Sequence, residues 1–266
     1  MASSRNSRRR RRGRGLGGAL LRLLCLLALG AALYFGATVF FQVETVAVSG
    51  NSRYTQEQIV QAAGIQTGDN LFRMNKNRMI QDVLQKLPYI ETLTIRRSYP
   101  NAVIIQVQEW AAAARVERPD ARPDYVDETA ELAQDDWLIS VGGKLLERGG
   151  GDGTAIPVSG LTPIAPRAGT ALAVPREEQG KLSGLLALLQ ALEQRKENAR
   201  VSQIDVSSAS YMLLRYDGRF TVKMSYSKDM DYQLRVLAQV AEDQPEGKTG
   251  TVDLTQKDYA AAFDED

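Results

Sequence analysis

Two short spacings in this chain carry the residue types of acyl transfer. Ser225 stands three positions before Lys228, and Lys248-Thr249-Gly250 begins twenty residues after that lysine. A serine attacks a peptide carbonyl when a neighbouring lysine takes its proton, so the pair is the first candidate for chemistry. Spacing argues against it. No Ser-x-Asn lies between the two lysines, and Ser225 is expected at the end of a strand, whereas this chemistry places its serine on the first turn of a long buried helix. The chain has no histidine, which removes the commonest general base and metal ligand. Gly149 to Gly151 and Gly153 are followed by no Gly-Lys-Ser/Thr and read as a flexible turn, not a phosphate loop. The residues assign no catalytic, cofactor-binding or metal-binding role, and the chain reads as a non-enzyme.

What the elements position is therefore a surface, and the first element is apolar. Residues 23–41 carry no charge, follow eight arginines (Arg5, Arg8, Arg9, Arg10, Arg11, Arg12, Arg14 and Arg22) and precede the first acidic residue, Glu44. At helical rise the run spans roughly 28 Å, close to the ~30 Å hydrocarbon core of a bilayer. The arginine bias predicts a single crossing, with residues 1–22 as a basic cytoplasmic tail and the rest outside. A cleaved signal peptide shares the basic front and a small-residue end such as Gly30-Ala31-Ala32. Its apolar core is only about 7–15 residues, and this one continues through Tyr34, Phe35, Phe40 and Phe41. Ser7-Arg8-Arg9 has the look of a twin-arginine signal, and arginine runs also serve as nucleic-acid arms, but membrane topology alone accounts for them. Eight of the 33 basic residues lie at or before Arg22, which leaves 25 against 32 acidic residues and about −7 beyond the span. The only cysteine, Cys25, sits in the apolar run, so the outer part forms no internal disulfide.

Val46 and Val48 alternate with small or polar residues before Gly50-Asn51, which predicts a strand starting almost at the membrane. Thr55 and Gln58 form a capping-box pair opening a helix that Gly64 closes. A second helix is expected over residues 76–87, with Met79, Ile80, Val83, Leu84 and Leu87 on one face and Pro88 ending it. Two alternating strands follow over residues 90–97 and 102–109, joined at Tyr99-Pro100-Asn101. Residues 117–136 are acidic, contain prolines and read as a solvated insertion. Beyond them come strands at 137–141 and near Ile156-Pro157-Val158, then a helix near 176–198 carrying Leu182, Leu185, Leu186, Leu189 and Leu192. Ile204 and Val206 mark a further strand, and Asp217-Gly218 joins a hairpin of residues 211–216 and 219–224. A helix over 229–242 and a last short strand over 249–255 complete the pattern.

The order strand, helix, helix, strand, strand matches the polypeptide-transport-associated (POTRA) domain. An apolar anchor running into F-x-V-x-x-V-x-V-x-G-N from Phe41, then Gly64-Ile65, Gly68-x-Asn70-x-Phe72, Leu87-Pro88-Tyr89-Ile90 and Arg97-x-x-Pro100, resembles the bacterial cell-division family FtsQ/DivIB. Asp217-Gly218-Arg219 and Gly250-Thr251-Val252-Asp253-Leu254 resemble that family's second domain. One departure is visible: the family usually has Glu-Arg and a proline where this chain has Glu109-Trp110 and a run of alanines. The expected fold class is α+β: one transmembrane helix (residues 23–41), a β-α-α-β-β POTRA domain (42–110) and a second mixed α/β domain built on an antiparallel-rich sheet (111–256). An acidic C-terminal tail is expected over 257–266.

The resemblance implies a divisome scaffold in the cell membrane, expected at the division septum. Its implied partners are the coiled-coil division proteins FtsL and FtsB (DivIC in many Gram-positive bacteria) and the septal synthase FtsW with its transpeptidase partner. Docking is expected by strand addition at an unpaired sheet edge. That edge is assigned by family pattern to Thr251, Val252, Asp253, Leu254 and Thr255, with Tyr259 and Phe263 as apolar anchors beyond it; the plain alternative is an ordinary last core strand. For the first domain, Arg73, Arg96 and Arg97 are available for polar contacts. A POTRA-type secretion or membrane-protein assembly module is the alternative function, and a penicillin-binding-type transpeptidase the reading that the Ser225 and Lys248 motifs alone would give.

Overall fold

In the computed structural model the described residues are 15–149, 153–245, 247–256 and 259–263. The arginines at positions 8–12 and 14 lie outside them. Helix α1 (Gly15–Phe40) contains a 19-residue stretch, Gly18–Gly36, long and apolar enough to cross a membrane and exposed along its length. Arg22 is exposed on it.

The chain enters its first domain without slack. Val43, already 99% buried, donates to the Asp69 carbonyl, and β1 (Thr45–Ser49) begins two residues later. Helix α2 (Gln56–Ala63) opens on the expected reciprocal cap between Thr55 and Gln58 and ends at Gly64 in the left-handed conformation. Helix α3 (Lys76–Lys86) is capped by the Asn75 side chain, which accepts from the Arg78 amide at 3.2 Å. Strands β2 (Ile90–Ser98) and β3 (Ala102–Glu109) pair antiparallel, and β1 pairs parallel to β3, giving the order β1-β3-β2. Ile59, Leu71, Val83, Ile90, Val103 and Ile105 are fully buried where the helices cover one face of this sheet.

The second domain is one nine-stranded sheet. Its strands are β4 (Ala114–Val116), β5 (Trp137–Ile139), β6 (Leu145–Arg148), β7 (Ile156–Ser159), β8 (Val201–Asp205), β9 (Tyr211–Tyr216), β10 (Phe220–Ser225), β11 (Gly250–Asp253) and β12 (Ala260–Phe263). They run in the order β12-β11-β10-β9-β8-β7-β4-β5-β6, with antiparallel pairs outnumbering parallel ones. Asp217 (φ 52°) and Gly218 (φ 67°) both adopt the positive φ that a type I′ hairpin requires. Helices α4 (Gln179–Arg195) and α5 (Met230–Asp243) pack together over the sheet. On α4 the buried leucines include Leu188, while Leu186 is only half-buried, so the apolar face is rotated from the stripe the spacing predicts. The helix is covered by both the sheet and α5, and an all-round leucine content hides which face is innermost.

The acidic segment between β4 and β5 is largely exposed but pinned from beneath. Val126 and Ala133 are buried, the Arg122 guanidinium donates to the carbonyls of Asp127 and Ala130, and the Tyr125 hydroxyl donates to Glu178 at 2.7 Å.

The two domains meet at β6. Tyr89 packs with Leu138, Leu146 and Ala155, flanked by Tyr54, Trp110 and Ala112. Arg53 pairs with Glu147 at 2.7 Å and lies 3.9 Å over the Tyr89 ring, and the Lys144 ammonium donates to the Ile90 carbonyl at 3.2 Å.

Candidate functional site: the β11–β12 edge

Val252 is completely buried and Leu254 is 96% buried, because β11 is an interior strand. It pairs parallel with β10 on one side and antiparallel with β12 on the other, in the register Gly250 to Phe263, Thr251 to Ala262, Val252 to Ala261 and Asp253 to Ala260. This corrects the assignment of the open edge to Thr251–Thr255: the edge lies one strand further out, and residues 260–263, expected as tail, form a strand. Three successive alanines have neither β-branched side chains nor alternating polarity, so nothing in their pattern announces a strand. The overlooked signal is Gly250. A Cβ there would lie 2.5 Å from the Ala262 carbonyl oxygen and 2.9 Å from the Phe263 Cα, so only glycine lets β12 approach. Glycine within a strand marks such close backbone approach.

The turn between the two strands is fixed by polar groups. Asp253 accepts from the Thr255 amide at 2.8 Å and from its hydroxyl at 2.6 Å. Burial pushes the Asp253 carboxyl up, but those hydrogen bonds and the charges of Lys223 and Lys228 outweigh it and hold the group below its ordinary range. Lys228 donates to the carbonyls of Leu254 and Gln256. Its ammonium is thus engaged in holding the chain after β11, while the Ser225 hydroxyl, at the end of β10 as expected, shares a hydrogen bond with Ser227 at 3.0 Å. Each of the two side chains thus has a structural partner of its own.

The outer edge of β12 has no strand beside it among the described residues. Ala260, Ala261 and Ala262 are exposed, and Phe263 is half-buried edge-on against Phe220, with ring centroids 6.3 Å apart. Beside the edge, Tyr259 on the approach to β12 and Tyr232, Arg235, Val236, Gln239 and Val240 of α5 line a shallow, mostly apolar groove of about 270 Å³. Tyr232 and Tyr259 are both more than half exposed. The arrangement offers a row of main-chain donors and acceptors with small side chains, next to a groove that accepts an apolar anchor. Thr251, Asp253, Thr255, Tyr259 and Phe263 fall within this region; Val252 and Leu254 face the core. Arg73 and Arg96 are exposed on the first domain, whereas Arg97 is half-buried and donates to the Met74 carbonyl at 2.7 Å, a packing contact.

Residues 41–110 match the family model described as POTRA domain, FtsQ-type. The chain is 36% identical over 81 residues to the cell division protein DivIB of Lactococcus lactis, covering 30% of this chain and 21% of the relative. It is 28% identical over 101 residues to the cell division protein FtsQ of Corynebacterium glutamicum (38% of this chain, 43% of the relative). To the cell division protein FtsQ of an Anaeromyxobacter strain it is 29% identical over 208 residues, covering 75% of this chain and 64% of that protein. The matched part thus spans from about a fifth to just under two thirds of these relatives. Residues 41–110 thus form an FtsQ-type POTRA domain at the exit of an apolar helix, and with the nine-stranded sheet after it the chain is similar to the FtsQ and DivIB cell-division proteins, to one of them over three quarters of its length.

Proposed function

We infer that the chain is a non-catalytic scaffold of the bacterial division machinery, anchored in the cell membrane by α1 with its N-terminus in the cytoplasm and acting at the division septum. It docks the coiled-coil proteins FtsL and FtsB/DivIC by strand addition and thereby helps control septal peptidoglycan synthesis by FtsW and its transpeptidase partner. The observation that carries this reading is the open outer edge of β12 beside the Tyr232–Tyr259 groove. A partner strand laid on β12 gains main-chain hydrogen bonds for affinity, and an apolar side chain seated against α5 supplies specificity.

The test must spare the core. Val252 and Leu254 are buried, so proline there would unfold the sheet, whereas Ala261→Pro with Ala262→Pro removes two adjacent donors of β12. Alternate strand residues point their donors to opposite sides, so one of the two faces outwards. Full-length chain co-expressed with the coiled-coil partner is extracted in detergent and the partner captured. Loss of capture with an unchanged circular dichroism spectrum is the expected result, and undiminished capture sinks strand addition at β12.

A further inference from the structure

We propose that Phe72 and Tyr99 seat the first domain in the phospholipid headgroup layer of the membrane that α1 enters; the proposal rests on reading α1 as a span. Phe72 lies between α2 and α3, and Tyr99 between β2 and β3, yet both converge on Phe41, the first residue after α1. Phe41 meets Phe72 at 4.9 Å and Tyr99 at 5.7 Å, both edge-on, and Phe72 and Tyr99 stack at 5.5 Å. Phe40, the last residue of α1, adds a fourth ring 5.3 Å from Phe41. This is not a core. Phe72 is 52% exposed, Tyr99 53% and Phe40 66%.

The rings are held at the helix exit by backbone bonds. The Leu71 amide donates to the Phe41 carbonyl at 2.9 Å, the Gly68 amide to the Val43 carbonyl at 2.8 Å, and the Glu44 amide to the Asn101 carbonyl at 2.8 Å. The Asn101 side-chain amide also donates to the Glu44 carboxylate at 2.6 Å. Both loops are thus tied to the residues that follow the span directly, so the fold holds them beside the bilayer surface and the rings set how deep they sit. In water, clustered exposed rings are unfavourable. At the headgroup level they are favoured, because an aromatic body suits the acyl boundary and a tyrosine hydroxyl suits the hydrated layer. Exposed Arg73, next after Phe72, supplies a cation for anionic headgroups. The occupant is a lipid surface because the patch is continuous with the apolar helix; a protein partner or a second copy would have no reason to require that continuity.

Full-length chain with Cys25→Ala is reconstituted into liposomes of phosphatidylcholine and phosphatidylglycerol. A nitroxide is placed at Arg73→Cys or, separately, at Leu27→Cys within α1, and collision with oxygen and with a water-soluble nickel chelate is measured. The expected result is a hydrocarbon reading at position 27 and an oxygen-favoured, nickel-depleted reading at 73. That reading is lost with Phe72→Ser and Tyr99→Ser and kept with Phe72→Trp and Tyr99→Trp. An aqueous reading at 73 with position 27 in hydrocarbon overturns the lipid seat alone. An aqueous reading at 27 overturns the span and the seat together. Depth unchanged by the serine pair, or shielding of 73 that appears only when another protein is added, also overturns it.

Discussion

The two ends of the nine-stranded sheet are built on opposite principles. At the β6 end, large side chains close the edge: Leu138 and Leu146 bury against Tyr89, Arg53 bridges to Glu147, and residues near Gly169 and Thr170 exchange main-chain hydrogen bonds with Leu145. At the β12 end the outermost strand is mostly alanine and, among the described residues, open on its outer side. An edge strand invites pairing, and proteins normally cover or charge it. One end here is covered by the neighbouring domain, and the other is left available, with its own pairing secured by a glycine instead of by bulk.

The contrast is most directly broken at the closed end. Leu146→Ala, at 1% exposure, should destabilise by about 2–5 kcal/mol in chemical denaturation. The exposed substitution Ala262→Ser should stay within about 0.5 kcal/mol. Similar losses at both positions would mean that the ends are not different in kind. Next in size, Gly250→Ala forces a Cβ against the Ala262 carbonyl and should cost about 1–3 kcal/mol. Hydrogen exchange at residues 260–263 should accelerate while β9 and β10 stay protected, and protection retained at β12 would show that the glycine is dispensable.

Glu109 sharpens the closed end further. Its carboxylate accepts from the Ser52 amide and hydroxyl, the Arg53 amide and the Tyr54 amide, at 3.0, 2.6, 2.8 and 3.3 Å. Burial pushes its pKa up, but those bonds outweigh burial and bring it below its ordinary 4.5. A carboxyl depressed in the folded state contributes stability in full above 4.5 and loses it as pH falls through the folded value. Glu109→Gln should therefore cost about 1–2 kcal/mol at neutral pH, with the difference from the parent chain vanishing in acid. A pH-independent difference would point to lost packing. The smallest effect is expected for Arg53→Ala: with side chains 47% and 36% exposed, the Arg53–Glu147 pair should contribute about 0.2–1 kcal/mol and less as salt is raised.

Local rules made much of this fold legible. The Thr55–Gln58 cap, the Asp217-Gly218 turn and the alternation through Val103, Ile105 and Val107 each depend on residues close in sequence, and each element stands where its spacing predicts. What the sequence hid depends on distant partners. Ala260 to Phe263 become a strand because β11 is beside them, and Leu138 and Leu146 form a domain contact because Tyr89 arrives from the other domain. The sheet edge lies one strand beyond the one that the pattern predicts: a buried strand and an edge strand differ in what flanks them, which a short apolar run does not encode. Lys228 was singled out for its spacing to Ser225, and its role as a clasp for the carbonyls after β11 is visible only in three dimensions.

The parallel pairing of β10 with β11 has a consequence in time. Parallel neighbours cannot be joined by a tight turn, so the chain must complete α5 and return along the sheet before β11 can form, and only then does β12 find a template. Such a pairing carries a larger loop-closure cost than a hairpin. The surface inferred to recruit partners therefore depends on β10 and α5 being in place, and a molecule whose core has failed has no platform to offer. If partners dock on this edge, recruitment proofreads itself, because a molecule without β10 and α5 in place presents no edge.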